Sequence, residues 1–555
     1  MKFLGNVLAT IVGIFVFTML FFFGIVLIGA IFGGEENGID IKENSVIELN
    51  LEDIQNDYAG KYSDPWVTAF SDTKQIGLTN VIDAIGAAKN DENIKGISIL
   101  NNNSSLGMAQ SKAVRDALED FKKSGKFVMA YANTYSQKEY YLNSVANTIY
   151  LNPVGDLDFK GLSSDLLFFK DFQDKTGVKM EVIRHGKYKS AVEPFLENKM
   201  SEANREQITA LLNSIWNSVV TDIAKSRNVS VEKLNEIANG LLARTPEMAK
   251  AQKLVDVVAY EDVYHNAIKK RLQVDSKDEY ESVSILDYTH KYITTSIPND
   301  ATDEIAIIYA QGEIQSGEGD VNIIGEGAMR RSISEARNNE DVKAIVLRID
   351  SPGGNALTSD LIWREIELTK KAKPVVVSMG NYAASGGYYI ACNANTIFAE
   401  KNTITGSIGV FGMLPNFSGL STKMGIHSEQ VNTHKNSGNY NPFAPIDEKF
   451  KAVTTEGVEQ IYKTFVSHVA QGRKMSFAQV DAIAQGRVWT GADAIKIGLV
   501  DKIGGLDDAI QEAARLAKIK TYNTQNYPEY NKNFDDLLEN FPFAKTKERW
   551  IKEEI

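Results

Sequence analysis

Two runs of apolar residues, each followed by a turn of small residues, predict buried strands. Residues 344–354 read AIVLRIDSPGG, and residues 375–392 read VVVSMGNYAASGGYYIAC. Apolar, β-branched runs of this kind are typical of strands that are covered on both faces of a parallel sheet. The glycines after each run let the backbone bend sharply, and the apolar residues from Tyr388 onward predict a helix. The pattern therefore predicts an α/β fold with parallel sheets and right-handed crossovers.

The same hydrophobic pattern occurs twice along the chain. Residues 88–100 (AKNDENIKGISIL) align with residues 336–348 (ARNNEDVKAIVLR) at an offset of 248. The same offset places Tyr140-Tyr141 on Tyr388-Tyr389. Further matches at offsets of 248 and 245 continue through both halves, which indicates two tandem copies of one α/β unit.

Changes in composition divide the chain into five predicted segments. The first 45 residues contain a long uncharged stretch, and residues 276–302 are polar with scattered tyrosines. The predicted segments are a transmembrane anchor with a short acidic stalk (1–45), a first repeat (46–275), a connector (276–302), a second repeat (303–525) and a tail (526–555). We expect the charged tail, which also contains Phe and Trp, to form a terminal helix that docks on a neighbour.

The N-terminal segment has the length of a membrane span. Phe3 to Gly34 contains no charged residue, Lys2 precedes it, and Glu35 and Glu36 follow it. An apolar run of this length can cross a bilayer, and the positive-inside rule places the N-terminus in the cytoplasm and the bulk of the chain outside. A cleaved secretion signal is the alternative, although the run is long for one and no clear A-x-A site follows it.

The two copies differ where chemistry is expected. Ser385 lies in a predicted strand-to-helix turn, where the backbone N–H groups of a helix start are unpaired. The first copy has Gln137 at that position and lacks the glycine turns. Conversely, the first copy has Lys189 where the second has Ser437. Each copy therefore keeps one functional group that the other has lost, as expected for a site divided between two repeats. A turn serine chosen only for its size, and a solvated surface lysine, are the structural alternatives.

A serine nucleophile needs a neighbouring base. The six histidines lie outside the strand-turn motifs of the second copy, and His185, the one near Lys189, has no carboxylate partner that is apparent from the sequence. A lysine can serve as the base when desolvation keeps it neutral. We therefore favour Lys189 over a Ser-His-Asp triad, whose order along a chain depends on the fold.

Three motifs of the chain are KYKSAVEPF at 187–195, NYAASGGYYIA at 381–391 and GSIGV at 406–410. In this order they resemble the motifs of the signal peptide peptidase A (protease IV) family in its long, tandem-repeat form, within the Clp protease/crotonase superfamily. The resemblance implies that Ser385 is the nucleophile and Lys189 the general base. It further implies that Ser407 orients the lysine, and that Gly353, Gly354 and Gly386 form the oxyanion site. For Ser407, a plain turn serine between glycines remains the alternative.

Composition narrows the remaining classes. A 555-residue chain with 43% hydrophobic and 24% charged residues is globular, and its net charge of −12 argues against nucleic acid as a partner. Cys392 is the only cysteine, so the chain forms no internal disulfide. No HExxH, Walker A or GxGxxG pattern occurs, so we expect no cofactor and no catalytic metal.

Together these observations predict a membrane-bound serine endopeptidase with a Ser-Lys dyad. The resemblance implies that it cleaves released signal peptides, resides in the cytoplasmic membrane with its bulk on the extracytoplasmic side, and forms a homotetramer. Three alternatives remain: a catalytically silent scaffold for membrane proteins, an envelope peptidase of broader specificity, and a crotonase-type acyl-CoA enzyme. Linkage of the two repeats in one chain favours a dyad within one chain over one formed between chains.

Overall fold

The computed structural model describes residues 2–32, 40–62, 76–295, 300–438 and 440–531. The first helix, α1, spans Lys2–Phe32. Among the helices in these ranges, none has both the length and the apolarity needed to cross a membrane. The predicted anchor at residues 1–45 therefore stays a prediction. Part of its stalk (33–39) and most of the predicted tail (532–555) lie outside the described residues.

The first repeat is built around a parallel sheet of six strands. Its strands and helices, with the short strand β2 and the inter-repeat strand β6, are β1 Ser45–Glu48, β2 Lys61–Tyr62, α2 Leu78–Ala88, β3 Ile94–Leu100, α3 Met108–Lys122, β4 Phe127–Ala132, α4 Gln137–Asn143, β5 Thr148–Leu151, α5 Lys170–Thr176, β6 Lys179–Arg184, α6 Glu193–Leu196, α7 Glu202–Arg227, α8 Val231–Gly240, α9 Pro246–Ala251, β7 Val257–Val258, α10 Glu261–Leu272, β8 Ser282–Ser284 and α11 Ile285–Thr295. The strands of the sheet lie in the order β7-β5-β4-β3-β1-β8. They follow the apolar runs, so that Ile47, Ile97 and Ile149 are fully buried in one core.

The second repeat is built around a sheet of eight strands. Its elements, with the short strands β10, β11 and β20 and the inter-repeat strand β16, are β9 Glu304–Gln311, β10 Glu313–Gln315, β11 Ile323–Gly325, α12 Glu326–Asn338, β12 Val342–Ser351, α13 Ala356–Lys370, β13 Val375–Ala384, α14 Gly386–Ala391, β14 Thr396–Ala399, β15 Ile404–Gly406, β16 Phe411–Asn416, α15 Ser418–Met424, α16 Glu448–Arg473, α17 Phe477–Ile483, β17 Val488–Thr490, α18 Gly491–Ala494, β18 Lys502–Ile503, α19 Leu506–Ala517, β19 Asn523–Tyr527 and β20 Glu529–Tyr530. The strands of the sheet lie in the order β17-β15-β13-β12-β9-β19, with β14 paired to β13 and β18 to β14. All pairs in this sheet are parallel except β15 with β17.

The predicted α/β fold with parallel sheets is confirmed. The segment predicted as a connector at 276–302 is more than a link, because it contains β8, which is the edge strand of the first sheet, and α11. Ile285 and Tyr288 on α11 are buried in the first core. This packed helix was not predicted from the sequence because the residues that flank these two are mostly polar.

In the described structure, strand pairing joins the two repeats at β6 with β16 and, over two residues, at β2 with β20. β6 of the first repeat pairs antiparallel with β16 of the second, in a register that joins Arg184 to Phe411 and Lys179 to Asn416. Because Lys189 follows β6 by five residues, this pairing holds the lysine segment against the second repeat.

A buried ion pair adds a further contact between the repeats. The Arg348 Nε donates to Asp57 Oδ2 across 2.6 Å, and both side chains are almost fully buried. The same guanidinium donates to Ser378 Oγ and to the Met379 carbonyl. The strand that leads to the SPGG turn is thereby tied to the first repeat.

Candidate active site

Ser385 occupies a strained turn between β13 and α14. Its backbone angles are φ 54° and ψ −119°, a region that residues with a side chain rarely adopt. The Ser385 N–H donates to the Gly406 carbonyl across 2.9 Å, which fixes the turn against the next strand. The hydroxyl therefore stands at the carboxyl end of the sheet, where ligands of parallel α/β folds bind.

The glycine turn after β12 packs directly against the serine turn. Gly353 has φ +103°, and a Cβ atom on it would lie 2.6 Å from the Gly386 nitrogen. The Gly353 N–H donates to Ser351 Oγ across 3.1 Å. In the described part of the chain, the N–H groups of Gly354 and Gly386 make no hydrogen bond. Of the three glycines predicted for the oxyanion site, Gly354 and Gly386 therefore offer the available N–H donors. Gly353, which has no side chain, lets the glycine turn pack closely against the serine turn.

Lys189 reaches Ser385 from the other repeat. Its Nζ lies 3.1 Å from Ser385 Oγ, 3.0 Å from Ser407 Oγ and 3.2 Å from the Ser407 carbonyl. The structure thus brings together the three side chains that the sequence placed at the site, within one chain. Ser407 itself has a positive φ of 50°, and its N–H donates to the Arg487 carbonyl across 2.7 Å.

The lysine segment fits closely against the second repeat. A Cβ atom on Gly486 would lie 2.6 Å from the Lys189 Cβ, so only glycine permits this approach. The Tyr188 N–H donates to the Gln485 carbonyl across 2.9 Å, and the Arg184 guanidinium donates to the Lys189 carbonyl across 3.2 Å. Backbone contacts on both sides of Lys189 therefore fix the direction in which its side chain leaves the chain.

Burial lowers the pKa of Lys189 to about 8. The residue is only 5% exposed, and the ring of Phe411 lies 5.7 Å from its Nζ. Within the described residues no carboxylate lies at ion-pair distance from the ammonium, so desolvation disfavours the charged form without compensation. Near neutral pH a usable fraction of the amine is neutral and can accept the Ser385 proton.

The histidine alternative does not reach the serine. His185 has a carboxylate partner that is not apparent from the sequence, because its Nδ1 lies 2.7 Å from Glu459 Oε1. Its ring stacks on Tyr462 at a centroid distance of 3.7 Å. This partner lies 274 residues away on α16, so no local sequence pattern around His185 indicates it. The hydrogen-bonding partner of Ser385 Oγ in the described structure is Lys189 and not a histidine.

Sequence reasoning missed a support beneath the serine turn. Asp350, at the end of β12, accepts hydrogen bonds from the Tyr382 N–H (2.8 Å) and the Asn381 side chain (2.9 Å). The side-chain Oδ1 of Asn381 in turn accepts from the N–H groups of Ala109 and Gln110 at the start of α3. Burial, followed by the charge of Asp57, raises the pKa of Asp350 to about 6. The sequence feature that could have indicated this support is the presence of polar residues, Asp350 and Asn381, near the carboxyl ends of two adjacent parallel strands.

Comparison with known proteins identifies the family of this chain. The model of peptidase family S49 matches residues 120–275 and 367–520, so that it covers the corresponding parts of both repeats. The chain belongs to peptidase family S49. "Protease 4" of Salmonella typhi is 38% identical over 471 residues, which are 82% of this chain and 74% of the relative. "Serine protease SPPA, chloroplastic" of Arabidopsis thaliana is 31% identical over 487 residues, which are 86% of this chain and 70% of the relative.

The family assignment makes this protein a serine peptidase. "Protease 4" of Haemophilus influenzae supports the same assignment. It is 37% identical over 80% of this chain and 73% of the relative. Among solved structures, a ClpP1 mutant from Listeria monocytogenes aligns over 37% of this chain and 94% of its own, at 16% identity and a TM-score of 0.25. A similarity at that TM-score supports no conclusion about this S49 peptidase.

The lowered pKa of Lys189 predicts the pH profile of the S49 peptidase. Because only the neutral amine accepts a proton, kcat/KM on a soluble peptide should rise about tenfold per pH unit below about 8 and level off above it. Lys189→Arg should be inactive at every pH, since guanidinium stays charged. A Lys187→Arg variant, two residues away, is the matched control and should keep the wild-type profile. A flat profile, or near-wild-type turnover by a folded Lys189→Arg variant, would contradict the assignment.

Proposed function

We propose that the S49 peptidase cleaves apolar peptides, chiefly released signal peptides, with Ser385 as nucleophile and Lys189 as general base. The observation that carries this proposal is the 3.1 Å contact between Lys189 Nζ and Ser385 Oγ, made by a buried amine with a lowered pKa. Neutral Lys189 takes the hydroxyl proton as Ser385 Oγ attacks the scissile carbonyl carbon. The resulting ammonium then gives that proton to the leaving amine, and the acyl group stays on Ser385 until water releases it.

The proposed oxyanion site stabilises the charge that forms during attack. The N–H groups of Gly354 and Gly386 are the donors available beside Ser385, and such donors act most strongly when they are fixed in advance. Ser407 Oγ, 3.0 Å from the lysine Nζ, holds the amine in position while its proton moves.

Apolar side chains around the site favour apolar substrates. Phe411 is 40% exposed beside Lys189, Leu357 is 68% exposed in the first turn after the glycine turn, and Tyr382 is 46% exposed three residues before Ser385. Large exposed apolar groups of this kind suit the binding of apolar side chains. An envelope peptidase of broader specificity is the alternative, and a crotonase-type acyl-CoA enzyme is disfavoured by the family assignment.

We further propose that residues 1–45 anchor the enzyme in the cytoplasmic membrane by a single pass, with the repeats on the extracytoplasmic side. Support comes from the sequence, where Phe3 to Gly34 is uncharged with Lys2 before it and acidic residues after it. Such a location brings the enzyme to signal peptides that remain in the bilayer after their release.

A homotetramer is the proposed assembly, and the repeat symmetry supports association of copies. The offset of 248 maps β16 onto residues 163–168 and β6 onto residues 427–432. Both segments are non-helical and mostly exposed, with Leu167 75% and Val431 100% exposed. Since β6 pairs with β16 inside the chain, segment 427–432 of one copy can pair with segment 163–168 of the next in the same antiparallel sense.

Cleavage of a defined peptide tests the proposed function. The full chain in lipid vesicles and a chain lacking residues 1–45 should both cut a 20-residue Leu/Ala peptide, and the full chain alone should sediment with the vesicles. A fluorophosphonate probe should label both forms. Ser385→Ala should abolish cleavage and labelling, whereas Ser467→Ala, an exposed serine on α16, should change neither. Equal cleavage of polar and apolar peptides would favour the broader-specificity alternative, and a labelled, active Ser385→Ala variant would refute the proposal.

Light scattering tests the assembly. The wild type should have the mass of four chains, and Leu167→Lys or Val431→Lys should shift it towards smaller species, because each substitution adds a charge to a segment that becomes buried on pairing. Val154→Lys changes a similarly exposed residue outside both segments and should leave the mass unchanged. A monomeric wild type, or variants indistinguishable from Val154→Lys, would argue against association through these segments.

A further inference from the structure

One buried amide holds both neighbours of Lys189. Gln207, on α7, is 3% exposed. Its Nε2 lies 3.0 Å from the Tyr188 carbonyl and 2.7 Å from Ser190 Oγ. The residues immediately before and after Lys189 are therefore fixed by the same side chain.

The other end of the Gln207 amide faces the second repeat. Its Oε1 accepts from the Val488 N–H across 3.4 Å. Val488 follows Arg487, whose carbonyl accepts the Ser407 N–H across 2.7 Å. The Gln207 amide thus connects the segment that carries Lys189 with the segment that supports Ser407. These are the two residues whose side chains meet when the lysine Nζ bonds the Ser407 hydroxyl.

The conformation at Lys189 depends on such contacts. Lys189 has φ −74° and ψ 72°, outside both helix and strand, and only a single turn of 3₁₀ helix follows it at Ser190–Val192. The residue is therefore held by individual contacts of its neighbours and not by the repeating hydrogen bonds of a helix or sheet. A small rotation at Tyr188 or Ser190 would move the Nζ at the far end of a four-carbon side chain by much more than it moves the backbone.

We propose that Gln207 is a positioning residue that aims Lys189 at Ser385 and Ser407. The inference rests on the proposed role of Lys189 as general base. Removing the amide should leave substrate binding intact, because Gln207 is buried and its hydrogen bonds go to Tyr188, Ser190, Asn204 and Val488 rather than to the serine and glycine turns. Removal of the amide should slow the transfer of the Ser385 proton to Lys189, since a displacement of the reacting groups by about 1 Å lowers the rate roughly a hundredfold.

The test compares Gln207→Met with a matched control, Gln173→Met. Gln173 is also a buried glutamine of the first repeat, 6% exposed, and bonds the Phe195 carbonyl and the Met180 N–H rather than the neighbours of Lys189. Both variants keep the side-chain volume and lose one buried amide, so both should lower the thermal unfolding midpoint by a similar amount.

Only Gln207→Met should lower kcat, by about a hundredfold, with KM within about twofold and with the rate of fluorophosphonate labelling falling in parallel. Gln207→Asn, which keeps the amide on a shorter side chain, should fall between the wild type and Gln207→Met and serves as the readout if Gln207→Met fails to fold. The inference is overturned if Gln207→Met or Gln207→Asn keeps the kcat of Gln173→Met, or if the loss appears in KM alone. A different result would contradict the proposed function itself, namely wild-type turnover by a folded Lys189→Ala variant.

Discussion

The site depends on a lysine amine that is removed from water and given only neutral partners. Burial of a charged group without compensation is costly, and a lysine meets that cost by losing its proton. Two serine oxygens, one carbonyl and an aromatic ring surround the Lys189 Nζ in the described structure. A carboxylate in this position would hold the proton on the amine, and an open cleft would hydrate it. The closeness of the two repeats at Gly486 is what keeps the amine both buried and within reach of Ser385.

The architecture explains how one site can be built from two repeats. Parallel sheets place the ends of β12 and β13 side by side, which brings the glycine turn against the serine turn. The antiparallel pairing of β6 with β16 then extends the first repeat over the second, so that the segment after β6 lies beside the serine turn. Loss of the serine in the first repeat and of the lysine in the second follows from this arrangement, because each repeat contributes a different half of the site.

Much of this could be predicted from the sequence. Apolar runs that end in glycine turns indicated parallel strands, and the constant offset between the two halves identified the repeat. The asymmetry between Lys189 and Ser437, and between Ser385 and Gln137, pointed to a divided site before any contact was known. Local pattern is informative in these places because strand burial and sharp turns are decided by neighbouring residues.

The rest depends on contacts between distant residues, which local pattern does not encode. The carboxylate that pairs with His185 comes from α16, and the support for the serine turn comes from the start of α3 through Asn381. Helix α11 was hidden in a polar segment because only a few of its residues face the core. Gln207 showed no sign in the sequence either, since a single glutamine on a long helix ordinarily faces solvent.

The central claim is that Lys189 and Ser385 of one chain form one site, and mixing two inactive variants tests it most directly. Lys189→Ala and Ser385→Ala chains, unfolded together and refolded as a mixture, should give no activity, because every intrachain site then lacks one of the two groups. The wild type refolded in the same way establishes the recoverable activity, and each variant refolded alone sets the background. Activity of the mixture well above that background would contradict the claim, since it requires a Lys189 and a Ser385 that come from different chains.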